Sequence, residues 1–144
     1  AKMEKDSQVL LQLMKTSLSY RQYLEQHHAD LHPDRMKIDR ALNVLLTERN
    51  ARKTDVIARS GIEPHYAYQI FSGVKTPSRD KVIMLGFGLL LTVDELQQLL
   101  KITGYAPLYA HDARDNAILY CLTKQQSVIA TNELLYDQGL ALLK

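Results

Sequence analysis

The sequence predicts an all-α protein, and three observations carry that expectation. Apolar residues recur at spacings of three and four along most of the chain, and the alternation of a half-buried strand is absent. Ser, Thr or Asp stands just before several of these runs, where a helix N-cap is needed. The stretch Thr54 to Pro77, TDVIARSGIEPHYAYQIFSGVKTP, holds two short amphipathic runs joined at Gly61. A glycine there supplies the backbone conformation that lets two helices cross steeply, as in a helix-turn-helix.

The elements follow in order. Residues 1–33 form an expected N-terminal helical arm. Its first helix, about Ser7 to Ser17, carries Val9, Leu10, Leu13 and Met14, and its second, about Ser19 to His28, is capped by Ser19 and carries Tyr20, Tyr23 and Leu24. Ala29 to Asp34 contains Pro33 and reads as a linker. Residues 34–104 form the central unit of five helices. The first, about Met36 to Arg49, sets Ile38, Leu42, Leu45 and Leu46 on one face. The next two are the helices of the motif: Val56 and Ile57 lie in one, while the other starts at Pro64, packs Ala67 and Ile70, and ends at Gly73. Ser78 caps a fourth helix with Val82, Ile83, Leu85 and Phe87, in which Gly86 and Gly88 read as close-packing positions. Thr92 and Glu95 form a capping box for a fifth, which buries Val93, Leu96 and Leu100 and stops at Gly104. Residues 105–144 form a C-terminal helical pair. Asp112 caps a helix with Ile118, Cys121 and Leu122 inward, and Ser127 caps another with Val128, Thr131, Leu134 and Leu135, ending near Gly139.

The bulk numbers fit a folded protein. The 144 residues are 46% hydrophobic, enough for a sizeable core. The lone Cys121 excludes an intramolecular disulfide and fits a cytoplasmic setting. No apolar run approaches the length of a membrane span, and no signal-peptide pattern is visible. The net charge is only +2, but residues 33–86 carry ten Lys/Arg against six Asp/Glu, so the basic excess concentrates around the motif. A phosphate-binding surface requires such a concentration.

Ile38 to about Thr103 resembles the Cro/CI-like, or XRE-type, DNA-binding domain, a five-helix lambda-repressor-like bundle. The residues that carry the resemblance are Val56, Gly61, Ile62, Ala67, Ile70, Gly73 and Pro77, with the loop GVKTPSRDK and the capped helix at Thr92. SGIEPHYAYQIFSG, GYAPLY and TNELLYDQG further resemble a subgroup of small bacterial proteins that join such a domain to a short helical tail. The resemblance implies binding to double-stranded DNA as a homodimer, in transcription regulation, with the helix from Pro64 to Ser72 in the major groove. It places base contacts at His65, Tyr66 and Gln69, of which Gln69 can pair bidentately with adenine. It places phosphate contacts at Lys53, Lys75 and Arg79. Lys53 stands where the family usually has a glutamine at the start of the first motif helix.

This sequence departs from the family pattern in ways that favour a second reading. Ile57 replaces a small alanine, Glu63 replaces a Ser or Asp cap, Phe71 replaces a glutamate, and Pro64 to Ser72 contains no Arg or Lys. An aromatic, uncharged helix also suits a protein partner, so a protein–protein interaction module is the alternative. Tyr66 and Tyr68 diverge by about 200° and cannot share a face; Tyr66 is expected outside and Tyr68 partly in the core. The histidines of HHADLHPD match no zinc spacing, and no catalytic constellation or phosphate loop is present, so neither metal, cofactor nor enzymatic activity is expected. The tail from Asp112 to Leu143 is the expected surface for a second copy or a protein partner.

Overall fold

The computed structural model describes residues 35–144; the arm helices and the histidine cluster of the preceding section lie outside them. The described residues form seven α-helices and no strand. They are α1 (Ile38–Glu48), α2 (Lys53–Ser60), α3 (Pro64–Phe71), α4 (Arg79–Gly88), α5 (Val93–Ile102), α6 (Ala113–Thr123) and α7 (Val128–Asp137). Among them, no helix is long and apolar enough to cross a membrane.

Side-chain caps fix where most of the later helices begin. Ser78 accepts a hydrogen bond from the Lys81 amide, Asp112 from Asp115 and Ser127 from Ala130. Thr92 and Glu95 satisfy each other's backbone amides in a complete capping box, which Arg49, the residue after α1, reinforces with an ion pair of 3.1 Å to Glu95. Gly61 ends α2 in the left-handed region (φ 76°), which lets α3 leave at a steep angle. Ser60 is fully buried at this corner: its hydroxyl donates to the Ile57 carbonyl and accepts from the Ile62 amide.

One hydrophobic cluster runs from Met36 to Leu143. Its fully buried members include Leu42 of α1, Ile70 of α3, Ile83 of α4, Leu96 of α5, Ile118 of α6 and Leu135 of α7. The most extensive helix contact joins α2 to α4. It depends on Gly88, where a Cβ would lie 2.4 Å from the Val56 carbonyl oxygen. Arg59 of α2 closes the same crossing by donating to the Gly88 carbonyl at 2.8 Å.

The C-terminal pair packs on this unit through both apolar and charged contacts. The Val128 side chain lies 3.6 Å from where a Gly61 Cβ would stand, so the start of α7 backs the turn of the motif. The first turns of α4 and α6 exchange two ion pairs. Arg79 donates to both carboxylate oxygens of Asp115, at 3.3 and 3.0 Å, and Arg114 to both of Asp80, at 3.1 and 2.8 Å. Arg114 also donates to the Ala141 and Leu142 carbonyls, which holds the chain's last residues in place.

Candidate nucleic-acid interface

The candidate surface is built on α3. Successive residues of a helix are separated by about 100°, so His65, Tyr68, Gln69 and Ser72 fall within an arc of about 100°. Ala67, Ile70 and Phe71 fall on the opposite side and are buried. His65 and Ser72 are exposed, Tyr68 is 42% exposed and Gln69 is half-buried. The Gln69 side-chain amide makes no hydrogen bond among the described residues, while its backbone carbonyl accepts from the Val74 and Lys75 amides at the exit of the helix. Asn43 of α1 anchors the other side, donating to the Phe71 carbonyl at 2.8 Å.

This geometry corrects the expected tyrosine arrangement. Tyr66 is half-buried, packed against the core on the flank of α3, and Tyr68 points outward. The reason is angular: Tyr66 follows His65 by about 100°, which turns it toward α4, where the Lys81 ammonium lies 5.4 Å from its ring centroid. Phe71 is corrected likewise. At 2% exposure it belongs to the core and not to an aromatic outer face. Lys53, at the start of α2, lies 5.4 Å from the Phe71 ring centroid, a cation–π contact that holds it beside the end of α3.

The two motif helices have unlike N-termini. Glu63 caps α3, accepting from the His65 amide at 2.9 Å and the Tyr66 amide at 2.8 Å. These bonds, the one from Tyr66 foremost, hold its carboxyl below the ordinary carboxylate value. The start of α3 therefore already holds an anion. By contrast α2 starts at Lys53, after Arg52, with no side-chain cap. Helix N-terminal amides beside a lysine suit an anion, although Asp55 lies 3.9 Å from Arg52 in the same turn.

The remaining phosphate candidates differ in what they are doing. Lys75 is exposed in the loop that leaves α3. The Arg79 guanidinium instead faces the tail: besides Asp115, it donates to the Ala106 and Pro107 carbonyls at 2.8 and 2.9 Å. A side chain holding four such bonds is a brace between α4 and the tail, so the phosphate role expected of Arg79 gives way to a structural one. Sequence reasoning placed Tyr68 partly in the core and did not find the contact of Lys81 with Tyr66. Helical angle alone separates Tyr68 from Tyr66, and the Ser78 cap places Lys81 in the first turn of α4 facing α3.

No family model, curated protein or solved structure matches this chain.

Proposed function

We propose that the protein is a sequence-specific DNA-binding transcription regulator that lays α3 in a major groove. The observation that carries this reading is the outward face of α3. His65, Tyr68, Gln69 and Ser72 project together from a short helix seated on the core, with Lys53 and Lys75 beside it. Gln69 is the best base reader, through its two-sided amide. His65 and Tyr68 supply further donors and an apolar ring edge, and Tyr66 acts from the flank. Lys53, at the uncapped start of α2, and Lys75 hold phosphates.

A homodimer is part of the proposal, because one such motif reaches a palindromic site only through a second copy. The outer face of α7, where Ile129 and Tyr136 are 73% and 75% exposed, is its docking surface. A monomer by sedimentation at micromolar concentration overturns that part.

A second reading, a protein-interaction module, is favoured by one observation. The Glu63 carboxylate closes the start of α3, and the helix itself carries no cation. The test is fluorescence anisotropy with duplex DNA from upstream of the protein's own gene and a scrambled duplex, at two salt concentrations. Tighter binding to the upstream duplex, weakening with salt, is the expected result. Equal weak binding to both duplexes, with no preferred site in genomic selection, transfers the face to a protein partner.

A further inference from the structure

A cleft of about 640 Å³ opens between the start of α1, the loop that leaves α3, and the end of α5. Arg35, Lys37 and Lys75 line it, and among the described residues Asp39 is the one acid that does so. The side-chain nitrogens of these three cations form no ion pair or hydrogen bond among the described residues. Two glycines shape the walls. At Gly104 (φ +90°) a Cβ would lie 2.5 Å from Arg35 Nε, so the guanidinium stem occupies the space that any other residue would fill. At Gly73 (φ +86°) a Cβ would lie 2.8 Å from an Asp39 carboxylate oxygen. Tyr105 closes one side, its hydroxyl donating to the Pro77 carbonyl at 2.6 Å, which ties the end of α5 to the loop after α3.

A concave site carrying an arginine fork and two ammonium groups is suited to a multiply charged oxyanion. We propose that this cleft binds a phosphate group, with Arg35 and Lys37 on one wall and Lys75 on the other. The group has two possible sources of identical chemistry. It is a backbone phosphate of DNA lying alongside α3, which rests on the function proposed above, or it belongs to a free phosphate compound, which does not. Asp39 opposes binding and lowers its affinity.

The test uses the full chain and pyrophosphate as the probe, by titration calorimetry at low salt without DNA, with thermal unfolding to verify that each variant folds. Saturable binding is expected, weakened about tenfold by Arg35→Ala through loss of the forked charge. Asp39→Asn should tighten binding about threefold by removing the like charge, a gain that a damaged fold cannot produce. The DNA arm measures the salt dependence of duplex affinity for Lys37→Ala and Arg35→Ala. A slope smaller by about one per residue identifies the DNA backbone as the source. Pyrophosphate binding with an unchanged slope identifies a free phosphate compound. If the wild type binds DNA but pyrophosphate does not bind and both slopes are unchanged, the cleft proposal falls and the DNA reading stands. If the wild type binds no DNA, that reading falls and the pyrophosphate arm alone decides the cleft.

Discussion

Gln69 and Lys53 make separable predictions because one presents an amide from the outward face of α3 and the other an ammonium at the uncapped start of α2. Gln69→Ala should cost about 1–3 kcal/mol on the preferred duplex and relax the sequence preference at one position. Lys53→Ala should weaken every duplex alike and flatten the salt dependence by about one. Equal, sequence-independent losses from both would remove Gln69 from the role of reader. Glu63 provides a different handle. Its carboxyl is lowered chiefly by the Tyr66 amide, so its cap is present above the carboxyl's unfolded pKa and fades as pH falls through the lower folded value. Amide protection at His65 and Tyr66, taken relative to the intrinsic exchange rate at each pH, should therefore fall in acid for the wild type. In Glu63→Gln it should keep no such pH dependence, and duplex affinity should rise uniformly. An identical acid response in both proteins would mean that another group frays the start of α3. The cap position was legible in the sequence because Pro64 follows it directly. The outward tyrosine was not, because a choice between two residues 200° apart depends on how far α3 is rotated against the core, and only Ile70 and Phe71 packing below it fixes that.

Among the described residues, the helices were legible to within a residue or two. Ser78, Thr92, Asp112 and Ser127 each cap the helix they precede, and the inward residues Leu42, Val82, Leu96 and Ile118 are those that the apolar spacing selects. What periodicity could not supply was which helices cross closely. That information resides in α4, where every residue from Val82 to Gly88 is buried and the apolar pattern therefore has no direction. Its glycines decide the crossings, and they decide them unequally. On helix propensity alone, Gly→Ala should gain about 0.5–1 kcal/mol at either position. At Gly88 the added methyl would meet the Val56 carbonyl at 2.4 Å, a backbone atom that cannot move unless α2 does. At Gly86 it would meet the end of the Leu96 side chain at 2.7 Å, which can shift to another rotamer. Gly88→Ala should thus lose about 1–3 kcal/mol or more in urea unfolding, and Gly86→Ala distinctly less. Equal costs would show that the α2–α4 approach is looser than the carbonyl contact implies.

At the scale of the molecule, the tail is joined to the five-helix unit by both apolar and charged contacts. Val128 backs the Gly61 turn, and the crossed pairs Arg79–Asp115 and Arg114–Asp80 join the first turn of α4 to that of α6. Sequence reasoning did not find the crossed pairs. Each Arg-Asp dipeptide looks self-neutralising along the chain, and its partner is more than thirty residues away. The energetics follow from burial. The side chains of Arg79 and Asp115 are 26% and 9% exposed, so deleting the arginine leaves a carboxylate with little access to water. Arg79→Ala should cost about 2–3 kcal/mol, toward the low end for a broken buried pair because Tyr109 still donates to Asp115. Asp115→Ala should cost less, since Arg79 keeps its two carbonyl partners and part of its access to solvent. A double-mutant cycle should return a coupling of about 1 kcal/mol or more; strict additivity would reduce the pair to a surface contact. The same connectivity predicts what truncation does. A chain ending at Gly104 removes Ile118, Cys121, Leu122, Val128, Leu135 and Leu143 from the single core and leaves Arg79 and Asp80 without their partners. The five-helix unit should then lose its cooperative thermal transition or melt far below the full chain, and lose DNA affinity with it, because α3 is held from behind by what the tail supports. A truncated chain that melts as sharply and as high as the full one would make the tail an accessory to the interface.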